Sequence, residues 1–257
     1  MTTAELPSRF FSVFRAKSSL RRTTVFAVSL VLAVVTVTFG PVGGAAFAAQ
    51  SVDQCNGAVN TGGKGLTCDV TVTNNLNIDT GIGTSVVTTK ACLGDANTVP
   101  ASCVGPTTTL YNTLTTSISQ CNGAANGGGS SVICSVHVVN NVTGGATPTP
   151  ATVNQCNGSG QGGGTAPTLN CDPSPATTTG ATITQCNGSV NGGGAPTRVT
   201  CTVATGPTQS AQLAVTVNQC NDSANGGGSV VTCSTEFTAL SLQRSSAPGL
   251  KRPSVSG

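Results

Sequence analysis

The chain is predicted to be all-β, built from disulfide-stapled β-hairpin repeats stacked as a solenoid-like array. One cassette, Gln-Cys-Asn-[Gly/Asp]-x-x-[Asn/Gln]-[Gly/Thr]-Gly-Gly, begins at Gln54, Gln120, Gln155, Gln185 and Gln219, and each copy is followed by one further cysteine. The flanking segments are rich in β-branched residues that alternate with polar ones, which is strand patterning. All 12 cysteines lie beyond residue 48, where Tyr111 and Phe237 are the only aromatic side chains. Such a chain cannot offset its conformational entropy by burial alone. A crosslink closing a loop of this size contributes about 3 kcal/mol, mainly by restricting the unfolded state.

Residues 1–48 read as a secretory signal peptide. Arg9, Arg15, Lys17, Arg21 and Arg22 precede the apolar segment Val25 to Phe39, and Ala46-Phe47-Ala48 follows. Fifteen apolar residues are too few to span a bilayer, which needs about 20. Arg21-Arg22-Thr23-Thr24-Val25 fits the twin-arginine pattern only in part, so the general secretory route is the reading. No membrane span is expected after cleavage. The leader carries five of the 11 basic and one of the eight acidic residues, so the remainder holds six and seven, a formal net charge of −1. The basic isoelectric point belongs to the leader, and nucleic-acid binding has no electrostatic basis.

An even number of cysteines in a secreted chain reads as a disulfide framework whose connectivity sequence alone leaves open. Spacing suggests neighbours. Cys55 and Cys68, Cys121 and Cys134, and Cys220 and Cys233 are 13 apart, while Cys156 and Cys171, and Cys186 and Cys201, are 15 apart. The longer units carry Ala166-Pro167 and Ala195-Pro196, and a step of two returns an extended side chain to the same face. Cys92 and Cys103, 11 apart, keep the parity and read as a degenerate sixth unit without the cassette text. With it, the leading cysteines are spaced by 37, 29, 35, 30 and 34 residues, or 66, 64, 65 and 64 two at a time, which suggests alternating units stacked in chain order. Residues 49–240 are therefore assigned to a six-unit repeat domain.

An aliphatic residue stands two before each cassette Gln (Val52, Ile118, Val153, Ile183, Val217), placing Gln on its face and Cys on the opposite one. On the return arm an aliphatic residue stands two before the second Cys (Leu66, Val132, Leu169, Val199, Val231), so there the cysteine shares the apolar face. Either a bulge beside the Gln-Cys step or a sheet covered on both sides reconciles the two arms. The return strands run on through Val70-Thr71-Val72 and Val136-His137-Val138 and are expected to end at Asn74-Asn75 and Asn140-Asn141. The Asn-Gly steps suit turns with positive φ. Thr147-Pro148-Thr149-Pro150 and Asp172-Pro173-Ser174-Pro175 read as exposed connectors, and residues 241–257 as a disordered tail.

No catalytic, cofactor-binding or metal site is expected. Zinc would need closer cysteine pairs and more imidazole than His137. Calcium-binding nonapeptides need a repeated Asp, whereas Asp53, Asp69, Asp79, Asp95, Asp172 and Asp222 are scattered. A phosphate loop would need a helix and a Lys-Ser/Thr pair after the glycines. His137, between Val136 and Val138, should point away from the apolar face, and Glu236 with the six aspartates forms no recognisable acid pair.

The cassettes, with return segments such as Val230-Val231-Thr232-Cys233-Ser234 and Val138-Val139-Asn140-Asn141-Val142-Thr143-Gly144, resemble a class of uncharacterised secreted Cys/Gly-rich repeat proteins of high-GC Gram-positive bacteria. The resemblance covers Val52 to Phe237; it implies export and carries no activity. Sequence alone thus points to a secreted, non-enzymatic structural or adhesive protein of the cell surface or extracellular matrix. Its expected partners are cell-wall or extracellular polysaccharide, or further copies of itself. The alternative is a binding module for a regular surface such as polysaccharide or ice, read by Thr152, Thr182, Thr184 and Thr216 on one strand face, interrupted by Asn154, Ser117 and Asp53.

Overall fold

The structure is a computed structural model that describes residues 49–96, 102–145, 147–161, 168–173, 181–192, 198–204 and 208–242. The leader, Ala166-Pro167, Ala195-Pro196, Ser174-Pro175 and the tail beyond residue 242 lie outside the described residues. The described residues are all-β. The approach arms of the five cassettes are β1(Ala49–Gln54), β5(Leu114–Gln120), β8(Val153–Gln155), β10(Ile183–Gln185) and β13(Thr216–Gln219). Their return arms are β2(Lys64–Asn77), β6(Ser131–Thr143), β9(Thr168–Asp172), β11(Arg198–Val203) and β14(Val230–Leu242). Four further strands are β3(Ile82–Asp95), β4(Ser102–Tyr111), β7(Pro148–Pro150) and β12(Thr208–Ser210).

Approach arms form one five-stranded sheet, ordered β1-β5-β13-β10-β8, and return arms lie in a second, seven-stranded sheet, ordered β4-β3-β2-β6-β14-β11-β9. All cassette strands pair in parallel and in register. Gln120 stands opposite Gln54 and Gln219, and Cys134 opposite Cys68 and Cys233. The two arms of a cassette therefore do not form a hairpin. They belong to facing sheets, and each disulfide crosses from one sheet to the other with a Cα–Cα distance of 6.5–6.7 Å.

The reason lies at the leading cysteine. Cys55, Cys121, Cys156, Cys186 and Cys220 all have φ of 56–59°, and the residue two further on, Gly57, Gly123, Gly158, Gly188 or Asp222, is also at positive φ. Two left-handed residues flanking an asparagine turn the chain out of the first sheet toward the second. The same rotation swings the cysteine side chain inward, so Gln and Cys both face the core. This corrects the alternation rule, and neither a bulge at that step nor a second covering layer is needed. A left-handed non-glycine residue costs about 1–2 kcal/mol, which the crosslink at the same residue offsets.

Chain order is not stacking order. The fifth cassette lies between the second and the fourth, so the rungs run first, second, fifth, fourth, third. Of the even double steps of the sequence only the first, 66, has a counterpart, because stacked neighbours are 66, 99, 34 and 30 residues apart. Cys92 and Cys103 are not a sixth rung either. They join β3 to β4 in a true antiparallel hairpin with a Cα–Cα distance of 4.0 Å, which adds two strands beside β2 in the second sheet and none to the first. The hairpin caps the parallel run at the first rung.

Between the sheets lie three apolar layers. The turn end holds the disulfides with Leu66, Val132, Val199 and Val231; the middle holds Val52, Ile118, Ile183 and Val217 against Val70, Val136 and Phe237; the far end holds Leu76, Leu114, Val142 and Leu213. Leu169 is 42 % exposed, although its counterparts are buried, because its rung ends the stack. The return strands do not stop at asparagine: β2 and β6 continue three residues past Asn74 and Asn140, which are buried. Asn74 Nδ2 donates to Asn140 Oδ1 and to the Thr115 carbonyl, each at 2.9 Å, and Asn74 Oδ1 accepts from Thr115 N–H at 2.9 Å. Those bonds tie the second sheet to β5. Pro148–Pro150 is also more than a connector, since β7 pairs antiparallel with β12, and Ser241 and Leu242 belong to β14.

All five cassette glutamines are buried. Gln219 Nε2 donates to Gln120 Oε1 at 2.8 Å, and Gln120 Nε2 donates to Gln54 Oε1 and to the Cys68 carbonyl, each at 2.9 Å. Gln185 instead reaches the Cys233 carbonyl at 2.7 Å, and Gln155, in the last rung, reaches the Pro173 carbonyl. An amide ladder thus binds rung to rung and sheet to sheet inside the core.

Gln120→Ala opens a cavity and strands two neighbouring amides, so a loss of about 2–4 kcal/mol is expected. Gln155→Ala at the end of the stack should cost about 1 kcal/mol. Urea unfolding of the oxidised proteins measures both, and equal losses would refute the ladder. A chain ending at Ala204 lacks the rung that joins first and second to fourth and third. Limited proteolysis should then digest residues 151–203 while sparing 49–143; protection of both halves would contradict the stacking order.

Candidate functional site

The cassette residues converge on one edge of the stack, where the turns lie over each other. Asn122 N–H donates to Asn56 Oδ1 at 2.9 Å, Asn221 N–H to Asn122 Oδ1 at 2.9 Å, Asn187 N–H to Asn221 Oδ1 at 2.8 Å and Asn157 N–H to Asn187 Oδ1 at 2.8 Å. A second ladder runs through Asn60, Asn126, Asn225, Asn191 and Gln161 with bonds of 2.7–3.0 Å. Glycine is required where the turns touch: a Cβ on Gly226 would stand 2.2 Å from Gly128 N, and one on Gly127 2.6 Å from Gly62 N. The cassette text is therefore a stacking code. Its Asn ladders and the Gln120, Gln185 and Gln219 side chains bond to neighbouring rungs, its Gly residues let backbones touch, and its Cys residues join the two sheets within a rung.

The sulfurs of Cys55, Cys68 and Cys121, and of Cys121, Cys134 and Cys220, lie within 4.8 Å of one another. They are crowded because disulfides in adjacent rungs stack. All 12 cysteines are bonded, in the pairs that spacing suggested, so no thiolate is available as ligand or nucleophile.

Ionisable groups lie on the outer faces. His137, on β6, points outward, with Nδ1 3.9 Å from Glu236 Oε2 on β14, both about half exposed. Lys64 Nζ meets Asp95 Oδ1 at 2.6 Å. Ser135 Oγ donates to Asp69 Oδ1 at 2.5 Å. Asp69, Ser135, His137 and Glu236, with Asp172 and Ser234, line a shallow depression of about 670 Å³ across the outer face of the second sheet. The Ser135 hydroxyl is directed at the Asp69 carboxylate, and His137 is set against Glu236. The polar, open floor of the depression can hold a hydrated ligand by hydrogen bonds.

The first sheet presents two outward rows. Ser51 stands opposite Ser117, and Ser117 opposite Thr216, and Thr182 and Thr152 continue that row, each N–H donating to the other's Oγ1 at 3.1 Å. The second row is Asp53, Ser119, Asn218, Thr184 and Asn154. Alternation puts Thr152, Thr182, Thr184 and Thr216 on one face with Ser117, Asn154 and Asp53 as interruptions, whereas Thr184 lies in the second row with Asn154 and Asp53, and Ser117 in the first. Stacking makes Ser117 part of a continuous hydroxyl row, a feature hidden until the rung order is known. Sequence patterning also passes over β4, whose text Thr-Thr-Thr-Leu-Tyr carries strand propensity but no cassette.

No curated protein and no solved structure matches the chain. The family model described as a domain of unknown function, DUF8253, matches residues 51–240, which include all five cassettes and the β3–β4 hairpin. The chain belongs to the DUF8253 family.

Proposed function

We propose that this is a secreted, non-enzymatic structural or adhesive protein of the cell surface or extracellular matrix, its five rungs serving as one solenoid-like block with two hydrated faces. The observation that carries this reading is the use of cassette Asn and Gln side chains in rung-to-rung bonds. A repeat selected for catalysis would keep reactive groups free; this one keeps its shape. Six disulfides suit an oxidising environment, in line with the leader sequence. Extracellular polysaccharide is the ligand that fits the outer faces, whose Ser, Thr, Asn and carboxylate groups offer hydrogen bonds without aromatic platforms.

A second reading, a binding module for a regular surface such as polysaccharide or ice, rests on the hydroxyl row Ser51, Ser117, Thr216, Thr182 and Thr152 at strand spacing. The two readings part on where the protein resides. Fractionation of a producing culture into washed envelope and cleared medium, with the oxidised chain quantified in each, should recover most of it with the envelope. Recovery chiefly as free monomer in the medium would overturn the structural reading and favour a released binder.

A further inference from the structure

The two large sheets end in four edge strands: β1 and β8 in the first, β4 and β9 in the second. An edge strand exposes a row of unpaired N–H and C=O groups, a template for another strand unless it is short, charged, bulged or broken by proline. β8 has three residues. β9 has five, carries Asp172 and is followed by Pro173. β4 differs, with ten residues, none of them charged, and eight of the ten exposed, which places them on both faces.

Protection on β4 covers only its first half. Pro106 has no N–H, Gly105 lies at φ 89°, and the facing β3 shifts register between Thr89 and Ala91. From Thr107 to Tyr111 the pairing with β3 is regular, and the text Thr-Thr-Thr-Leu-Tyr combines high β-propensity with no charge and no proline. Leu110 is 78 % exposed, the highest value among the exposed large apolar side chains.

We propose that Thr107–Tyr111 is a self-association edge, where β4 of one molecule pairs antiparallel with β4 of a second copy about a two-fold axis at Thr109. This deepens the structural reading above by naming the contact between copies. A two-fold axis makes the edge its own complement. Thr107 then stands opposite Tyr111, Thr108 opposite Leu110 and Thr109 opposite Thr109, all favourable cross-strand combinations. Leu110 is covered by the second molecule's Thr108, on the face where Thr108 Oγ1 already lies 2.9 Å from Thr88 Oγ1. A strand without charge has nothing to select a charged foreign peptide, and the secreted chain, at a formal net charge of −1, opposes its own copy only weakly. Two seven-stranded sheets become continuous. Five residue pairs bury well under the roughly 1,600 Å² of a standard interface, so the contact is weak and concentration-dependent.

Sedimentation velocity on the secreted, oxidised protein between about 10 μM and 1 mM tests this contact. The weight-average mass should rise toward that of a dimer across the series. Leu110→Lys and Thr108→Lys, both at the edge, should weaken association at least tenfold. Ile133→Lys, at a 47 % exposed site in the middle of the second sheet, should leave it unchanged. Intact mass under non-reducing conditions verifies six disulfides in each variant. A monomer throughout the series, or association undiminished in both edge variants, overturns the proposal. Neither result bears on recovery from the envelope, which tests the structural role separately.

Discussion

Everything in this fold depends on placing identical residues one strand spacing apart. Parallel strands in register set the same side chain above itself, about 4.8 Å away, rung after rung. At that distance a residue must either bond to its own copy or tolerate it. Asparagine does the first at the turns, where each Oδ1 accepts from the next Asn N–H, and glutamine does it inside the core, where amide meets amide. Glycine does the second where backbones touch. A charged residue could do neither, and the cassette has a single one, Asp222, at a turn position on the molecular surface.

This constraint explains how a chain nearly devoid of aromatic residues forms an interior. Valine, isoleucine and alanine fill thin layers, while the stacked disulfides and glutamines occupy volume that a larger core would give to leucine and phenylalanine. Burying five amides would be prohibitive if any were isolated. Bonds to neighbouring amides and to main-chain carbonyls pair them, apart from Gln155 Oε1 in the last rung, which has no partner among the described residues, and such a network specifies register as well as adding stability. A one-residue slip would break every glutamine, asparagine and disulfide contact at once, so the stack is all-or-none in register. The left-handed cysteine belongs to the same logic, because it swings the leading sulfur of each unit between the sheets, where strand alternation already puts the second.

Non-sequential order gives the molecule a different topology from a thread wound turn by turn. The fifth cassette completes the stack by pairing with the second on one side and the fourth on the other, so C-terminal residues join N-terminal ones at the centre. The β3–β4 hairpin, with its own crosslink, closes one end by reversing strand direction. What stacking leaves over is the outer hydroxyl and asparagine rows, the shallow depression and the β4 edge.

Much of this was legible in the sequence. Cassette text, cysteine parity and β-branched alternation determined an all-β chain of crosslinked units, located the strands, and put Leu66, Val132, Val199 and Val231 in the core, because these depend on residues close in sequence. The outward side of His137 followed from alternation on β6. Local patterning failed at Cys55 and its equivalents, since a left-handed φ breaks the alternation that a strand would impose. It failed at Asn74, a turn-forming residue that instead binds the β5 backbone from inside the core. Sequence could not order the rungs, because five nearly identical cassettes offer nearly identical surfaces, and which pair stacks is decided by connections and by the hairpin cap. Ser117 joining a hydroxyl row, and β4 standing free at an edge, were therefore matters for the tertiary structure alone: both depend on which strand lies alongside, and that is a property of the assembled sheets.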